Sequence, residues 1–299
     1  MAGDEGATVH VPTALIEPAT SAAPGAAAAP AIARRFLIVT APFNAFAREL
    51  AQALRAKGIT VERVLLNAGD WLYWGWRDAI AYRGRVKDWE AWIGRQIRDR
   101  GVTDIITFGD TTHYASAALR AARALGVETH IFEEGYFRPN WITLERDGIN
   151  ALSSLPRDPA WYAAHPLASV PEPDGQIGPA VGAMVRQMSA YHIVMMLGAL
   201  AFPHFRTGYQ DGVFAQGVGH VFRYGGAGLA AGRNKRALAR ALASSGKVFL
   251  VLLQRPGDSQ LRIHSPFDHV VTFIRDVMTS FASNAPPDAR LLIRPHPLD

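Results

Sequence analysis

The stretch Phe36 to Leu66, FLIVTAPFNAFARELAQALRAKGITVERVLL, decides the fold. It opens on an unbroken apolar run, Phe36-Leu-Ile-Val-Thr40, the pattern of a strand buried on both faces. The period then changes. Phe46 to Ala56 repeats apolar residues at helical spacing and stops at Lys57-Gly58, where glycine accepts the backbone twist that ends a helix. Ile59 to Leu66 is a second apolar run. Strand, short helix and strand form a βαβ unit, whose crossover pairs the two strands in parallel.

The same alternation continues outward. A Trp- and Tyr-rich segment (Trp71, Tyr73, Trp74, Trp76, Tyr82) leads into a helix over about residues 88–100. A strand at Asp104 to Phe108, a helix at Tyr114 to Leu125 and a strand at Val127 to Phe132 follow. The aromatic cluster is read as core packing ahead of a sugar-stacking platform. Residues 34–160 are therefore expected to form a doubly wound α/β domain. Pro and Gly thicken between Leu155 and Gly182, so residues 161–244 read as a linker and helical segment, with helices over about 181–200 and 229–244. Within it, Tyr191 to Phe205 is too short to span a bilayer and is interrupted by Pro203 and His204, which leaves contact with a membrane surface open. Val248 to Leu253 is expected to be a fully buried strand, Phe267 to Ser280 a helix and Arg290 to Ile293 a strand. A second α/β domain is thus expected from about residue 245, incomplete at Asp299. At the other end, the Ala- and Pro-rich residues 1–33 have no continuous apolar core and read as a disordered extension.

Composition narrows the chemistry. With 49% hydrophobic and 19% charged residues, the 299-residue chain is globular and not wholly disordered. The absence of cysteine excludes disulfides, thiolate metal sites, iron–sulfur clusters and a cysteine nucleophile. A net charge of +5 and a pI of about 9.7 favour anionic partners. Arg206, Arg223, Arg233, Lys235, Arg236 and Arg240 are almost unopposed by acids, and read equally as a solvated face or as a hold on anionic lipid. They are not interleaved with an aromatic recognition module, so nucleic acid is not an expected partner. P-loop, complete GxGxxG, HExxH and GxSxG patterns are absent, which removes kinase, dehydrogenase, zinc-protease and serine-hydrolase readings.

Four polar clusters each follow a strand: Gly109-Asp110-Thr111-Thr112-His113, Glu133-Glu134-Gly135-Tyr136-Phe137-Arg138-Pro139, Gln254-Arg255-Pro256-Gly257-Asp258-Ser259-Gln260, and Arg294-Pro295-His296-Pro297. Open parallel sheets bind ligands beyond the carboxyl ends of their strands, so these clusters are the expected site. Each also has a plainer reading. Gly109-Asp110 and Asp258 are respectable turn and helix-cap residues, and His264 or His296 alone would more often be a packing or surface histidine.

Phe132 to Pro139, continuing through Trp141 to Glu145, Gly148-Ile149-Asn150 and Ser154 to Asp158, resembles the capsule polysaccharide biosynthesis/export family of the KpsS/LipB type. Gly109-Asp110, the block from Gln254 to Ser265 and the closing His296-Pro297 fit the same pattern, so the resemblance covers roughly residues 35–299. It implies a retaining β-Kdo glycosyltransferase with two Rossmann-like domains in a GT-B-like arrangement, the second incomplete here, the rest following His296-Pro297. It also implies CMP-β-Kdo as donor, a phosphatidylglycerol-type lipid as acceptor, and a place at the cytoplasmic face of the inner membrane beside other capsule biosynthesis and export proteins. No cofactor or metal is expected, because a sugar leaving as CMP has no diphosphate to neutralise. Retention through two displacements assigns Asp258 as nucleophile and Glu133 or Glu134 as acid/base. His296 is expected to face the CMP phosphate, with Pro297 beside it. Arg138, Arg255 and His264 are expected to pair with the sugar carboxylate or phosphate, His264 counting among the catalytic groups. Gln254, Gly135 and Asp110 complete the expected binding set. The rival reading is a non-catalytic capsule assembly or export scaffold that keeps the transferase fold.

Overall fold

The computed structural model describes residues 33–135, 141–165, 181–207, 231–255 and 257–296. The extension read over residues 1–33 falls almost wholly outside them, as do Arg138, Arg223 and Pro297. The chain divides into two compact units, Met1–Arg206 and Thr207–Asp299.

The first unit is built on a six-stranded sheet. Its strands are β1 (Arg35–Ile38), β2 (Thr60–Leu65), β3 (Ala79–Ala81), β4 (Asp104–Phe108), β5 (Glu128–Glu134) and β6 (Ile142–Arg146), in the spatial order β3-β2-β1-β4-β5-β6. All neighbours are parallel except β6, which runs antiparallel to β5. The chain moves outward from β1 to β3, then returns past β1 to β4. Strand order therefore reverses between β1 and β4.

Alternation along the strands explains why helices cover both faces. Phe36 and Ile38 point to one side, where Leu50, Ala51 and Leu54 of α1 (Phe46–Ala56) and Ala68 and Trp74 of α2 (Ala68–Trp74) pack on them. Leu37 and Val39 point to the other side, onto Trp89, Ile93 and Ile97 of α3 (Trp89–Asp99) and Ala118 and Ala122 of α4 (His113–Ala124). Each large aliphatic side chain buried in this way contributes about 1.5–3 kcal/mol. Of the aromatic cluster, Trp74 and Tyr82 are core, Trp71 and Tyr73 are half-buried and Trp76 is 62% exposed; the following Trp89 is 1% exposed and its indole N–H donates to the Tyr114 carbonyl at 2.9 Å.

Three elements have no counterpart in the sequence reading. Helix α2 starts on Asn67, whose side chain accepts from the Gly69 and Asp70 amides while Asp70 accepts from the Asn67 amide. Strand β3 is a three-residue edge strand. Strand β6 covers the far edge. A short α5 (Pro159–Ala164) follows, and then α6 (Val181–Leu197), the helix expected over about residues 181–200. Tyr191 of α6 is 5% exposed, and its hydroxyl lies 2.7 Å from Asn67 Nδ2 and donates to Asp70 at 3.1 Å; Asp70 also holds the buried Arg63 guanidinium at 2.8 Å. Burial, with the Asp70 charge nearby, pushes the Tyr191 hydroxyl well above its usual range. Helix α6 is thus a fixed part of the first unit.

In the second unit, β7 (Val248–Leu252) pairs in parallel with β8 (Arg290–Arg294), together with α7 (231–242), α8 (Ser259–Arg262) and α9 (Val270–Asn284). The expected full burial of Val248 to Leu253 is not found. Phe249 is 44%, Leu250 59% and Leu252 65% exposed. The reason is that β7 has β8 as its one strand neighbour among the described residues.

At the amino end of β4, Asp104 is fully buried and accepts from His130 at 2.8 Å, from the Thr103 hydroxyl at 2.6 Å and from the Arg34 guanidinium. Burial alone would push its carboxyl up, but the hydrogen bonds from His130, Arg34 and Thr103 and the Arg34 charge outweigh it and hold it below its ordinary 3.8. A depressed folded-state value stabilises the protein above pH 3.8, and that contribution is lost as pH falls through the folded value. Asp104→Ala, which removes the buried carboxylate that accepts from Arg34, His130 and Thr103, is expected to lose about 3–5 kcal/mol of unfolding free energy in urea titrations at neutral pH. A loss below about 1 kcal/mol would contradict this account, since only exposed ion pairs are worth so little.

Candidate functional site at the carboxyl edges of the sheets

The carboxyl ends of β1, β4 and β5 lie side by side because their registers are fixed. Val39 donates to the Ile106 carbonyl at 2.9 Å, and the Phe108 amide donates to the Thr40 hydroxyl oxygen at 2.8 Å. The Gly109 amide donates to the Phe132 carbonyl at 2.9 Å. Gly109 has φ +67°, a conformation open to glycine at little cost, and there the chain turns from strand toward α4. Asp110 follows at the point where strand order reverses, the position at which such sheets form a crevice.

Glu133 and Glu134 are successive residues of β5, so their side chains leave opposite faces of the sheet. Glu133 accepts from the Asn150 side-chain amide at 2.7 Å, while Glu134 is exposed. Gly135 closes the strand, its amide donating to the Trp141 carbonyl at 2.8 Å. The turn at residues 148–150 joins the two carboxylates. The Ile149 amide donates to Asp110 at 3.3 Å while Asn150 holds Glu133. This turn admits no side chain at Gly148, where a Cβ would stand 2.2 Å from the Leu152 carbonyl oxygen. Asn150 adopts φ +57°, which asparagine tolerates better than most residues.

Asn150, Thr40 and His113 are site residues that sequence reasoning did not assign. Asn150 and His113 sat inside quoted motifs, but nothing in their spacing said which partner each would find. His113 opens α4 three residues after Asp110, behind the capping Thr112, and its Nε2 is shielded from solvent without a hydrogen-bond partner among the described residues. Burial pushes its imidazole below the ordinary value, against a backbone hydrogen bond at Arg206 that raises it.

In the second unit, Gln254, Arg255 and His296 share one strand edge. Because β7 and β8 are parallel and Leu253 donates to the Arg294 carbonyl at 2.9 Å, Gln254 and Arg255 leave beside His296. Asp258 caps α8, its Oδ1 accepting from the Gln260 amide at 2.8 Å. That arrangement fixes the carboxylate's orientation. His264 follows α8, with Nε2 shielded and unpartnered among the described residues. No group of three or more His, Asp or Glu side chains among the described residues is placed to hold a metal ion.

A parallel α/β sheet with polar clusters at its carboxyl edge, organised by the 148–150 turn, defines the class. The chain belongs to the capsule polysaccharide biosynthesis protein family, which matches residues 103–299, from the start of β4 through the second unit. It is 30% identical over 267 residues to the capsule polysaccharide export protein KpsS of Escherichia coli, covering 89% of this chain and 68% of that protein. It is 31% identical over 288 residues to the capsule polysaccharide modification protein LipB of Neisseria meningitidis serogroups A and B, covering 89% of this chain and 65% of LipB. The chain therefore spans about two thirds of the length of these relatives.

If Asp110 anchors the turn, Asp110→Ala is expected to speed hydrogen exchange of the Ile149 amide about tenfold, the worth of one charge-assisted hydrogen bond. Unchanged exchange would show that the turn holds without it.

Proposed function

We propose that the protein is a retaining β-Kdo transferase that uses CMP-β-Kdo to start the Kdo linker of a capsular polysaccharide on a phosphatidylglycerol-type lipid. The observation that carries this reading is the 148–150 turn, which gathers Asp110 and Glu133 at the carboxyl edge of the first sheet. Membership of the capsule polysaccharide biosynthesis family supports it. In this reading the two units are the halves of a GT-B-like enzyme working peripherally at the cytoplasmic face of the inner membrane, beside capsule export proteins.

The chemistry balances as two displacements. A carboxylate oxygen of Asp258 attacks the anomeric carbon, the bond to the phosphate oxygen breaks, and CMP leaves with the electron pair. Its charge is met by His296, Arg255 and Arg138, with Gln254 and Pro297 belonging to the same binding set. The acceptor hydroxyl then gives its proton to Glu133 or Glu134 and attacks the same carbon from the face CMP left, expelling Asp258. Two inversions retain the anomeric configuration. His264 pairs with the sugar carboxylate. Asp110 and Gly135 complete the donor-binding set, and no cofactor enters the scheme. The capped geometry of Asp258 suits a nucleophile, because a fixed carboxylate gives up little freedom on reaching the near-attack position.

Release of CMP from CMP-β-Kdo in the presence of a lipid acceptor tests the reading, on this chain and on a version extended at its carboxyl end. Asp258→Ala is expected to reduce turnover by about 10⁴-fold with CMP binding retained. Of Glu133→Gln and Glu134→Gln, one should lose about 10²–10⁴-fold. Near-normal turnover in Asp258→Ala removes that residue from the mechanism. No turnover by either version, with the polar clusters still required for binding capsule proteins, makes the protein an assembly scaffold.

A further inference from the structure

Helix α6 does not have the polar outer face of a surface helix. Its inner stripe is accounted for by Tyr191 and Met195, 5% and 9% exposed. The opposite stripe, where charge is the rule, carries the exposed Arg186 and Ser189 in its first half and otherwise Val185 at 53%, Ile193 at 57%, Met196 at 53% and Leu197 at 80% exposure. The stripe runs on into the turn Ala199–Ala201, where Leu200 is 96% exposed. This turn is not a loose end. Phe202 is buried at 4%, Phe205 packs on the core with its ring parallel to that of Tyr114, and the Arg206 amide donates to the Tyr114 hydroxyl at 3.4 Å. The core therefore clamps the segment from beneath and holds Leu197 and Leu200 outward.

Charge is arranged beside this ledge. Residues 181–207 contain no acidic residue but include Arg186, His192, His204 and Arg206. A pocket of about 380 Å³ lies at the end of the segment, lined by Arg85, Val86, His204 and Arg206. The neighbouring Lys87 and Asp88 offset one another, so Arg85 and Arg206 keep a net positive charge there. No helix among the described residues is long and apolar enough to cross a membrane. A rigid apolar ledge ending in a basic pocket has the anatomy of a surface that inserts a few side chains among acyl chains and meets phosphate above them.

We propose that the outward face of α6, the Ala199–Ala201 turn and the Arg85–His204–Arg206 pocket together dock the protein on a bilayer of anionic phospholipid. The inference rests on the peripheral placement proposed above and is independent of the transfer chemistry. Its test is vesicle flotation with phosphatidylcholine alone or with phosphatidylcholine containing phosphatidylglycerol. The full chain is expected to float with the anionic vesicles, and less so as salt is raised. Leu197→Glu with Leu200→Glu should lower the bound fraction about tenfold or more. Arg85→Gln with Arg206→Gln should do the same by removing the preference for phosphatidylglycerol. CMP release measured with a water-soluble acceptor should be unchanged in the leucine variant, and circular dichroism should show both variants folded. A wild-type chain that floats while both variants float equally well overturns this surface alone. Equal flotation on neutral vesicles overturns the charged half of it. A dimer in light scattering that dissociates in the leucine variant assigns the ledge to a second copy. Failure of the wild-type chain to float overturns the peripheral placement as well, leaving CMP release to judge the transferase reading separately.

Discussion

The parallel register of β4 between β1 and β5 is the constraint from which the first unit's site follows. Five residue pairs lock β4 to β5 and three lock it to β1, so Thr40, Gly109 and Glu133 end on one line. Slipping either pairing by one residue would turn the buried Ile105, Ile106 and Ile131 to the wrong faces. At its amino end the same strand is pinned by Asp104 with His130, Arg34 and Thr103. Stability sits at one end of β4 and the polar cluster at the other, and the helices on both faces make the strand too costly to move.

Behind the strand ends lies a backbone turn, inside the stretch from Phe132 to Asp158 that carries the family resemblance. Glu133 lies at the end of β5, but its partner Asn150 arrives only after the chain has made β6 and doubled back. The tight approach at Gly148 and the left-handed Asn150 let the chain present an amide to Asp110 and a side chain to Glu133 from consecutive residues. The family match begins at residue 103, yet β4 can be buried only if β1 to β3 and their helices are present. The first strands therefore hold β4 in place, and the chain leaving β1 also contributes Thr40 at the carboxyl edge.

How much was legible in the sequence depended on periodicity. Helix α1 and strand β4 match their expected limits because each has one dominant period, helical at Leu50, Ala51 and Leu54 and apolar throughout at Asp104 to Phe108. Helix α2 was hidden because Trp71, Tyr73 and Trp74 drew attention as an aromatic cluster, although the Asn67-to-Asp70 spacing is a helix-start signal. Strand β3 is too short for any period to register, and the alternation of β6, Ile142 and Leu144 against Thr143 and Glu145, was obscured by the motif it carries. The apolar run at β7 correctly signalled a strand, but burial depends on neighbours the sequence of that strand does not contain. For the candidate site, Asp110, Glu133 and Asp258 could be named from the sequence as polar residues that follow strands. Asn150 and His113 became visible only with the fold, since long-range pairing carries no local signature.

The account stands or falls on whether ligands meet the carboxyl edge of the first sheet. The most direct measurement is hydrogen–deuterium exchange by mass spectrometry, with and without CMP-β-Kdo and a lipid acceptor. Peptides spanning residues 105–115 and 142–152 are predicted to slow together on ligand addition, with the β2 and β3 peptides unchanged. Protection confined to other segments, with these two exchanging at the same rate bound and free, would contradict it.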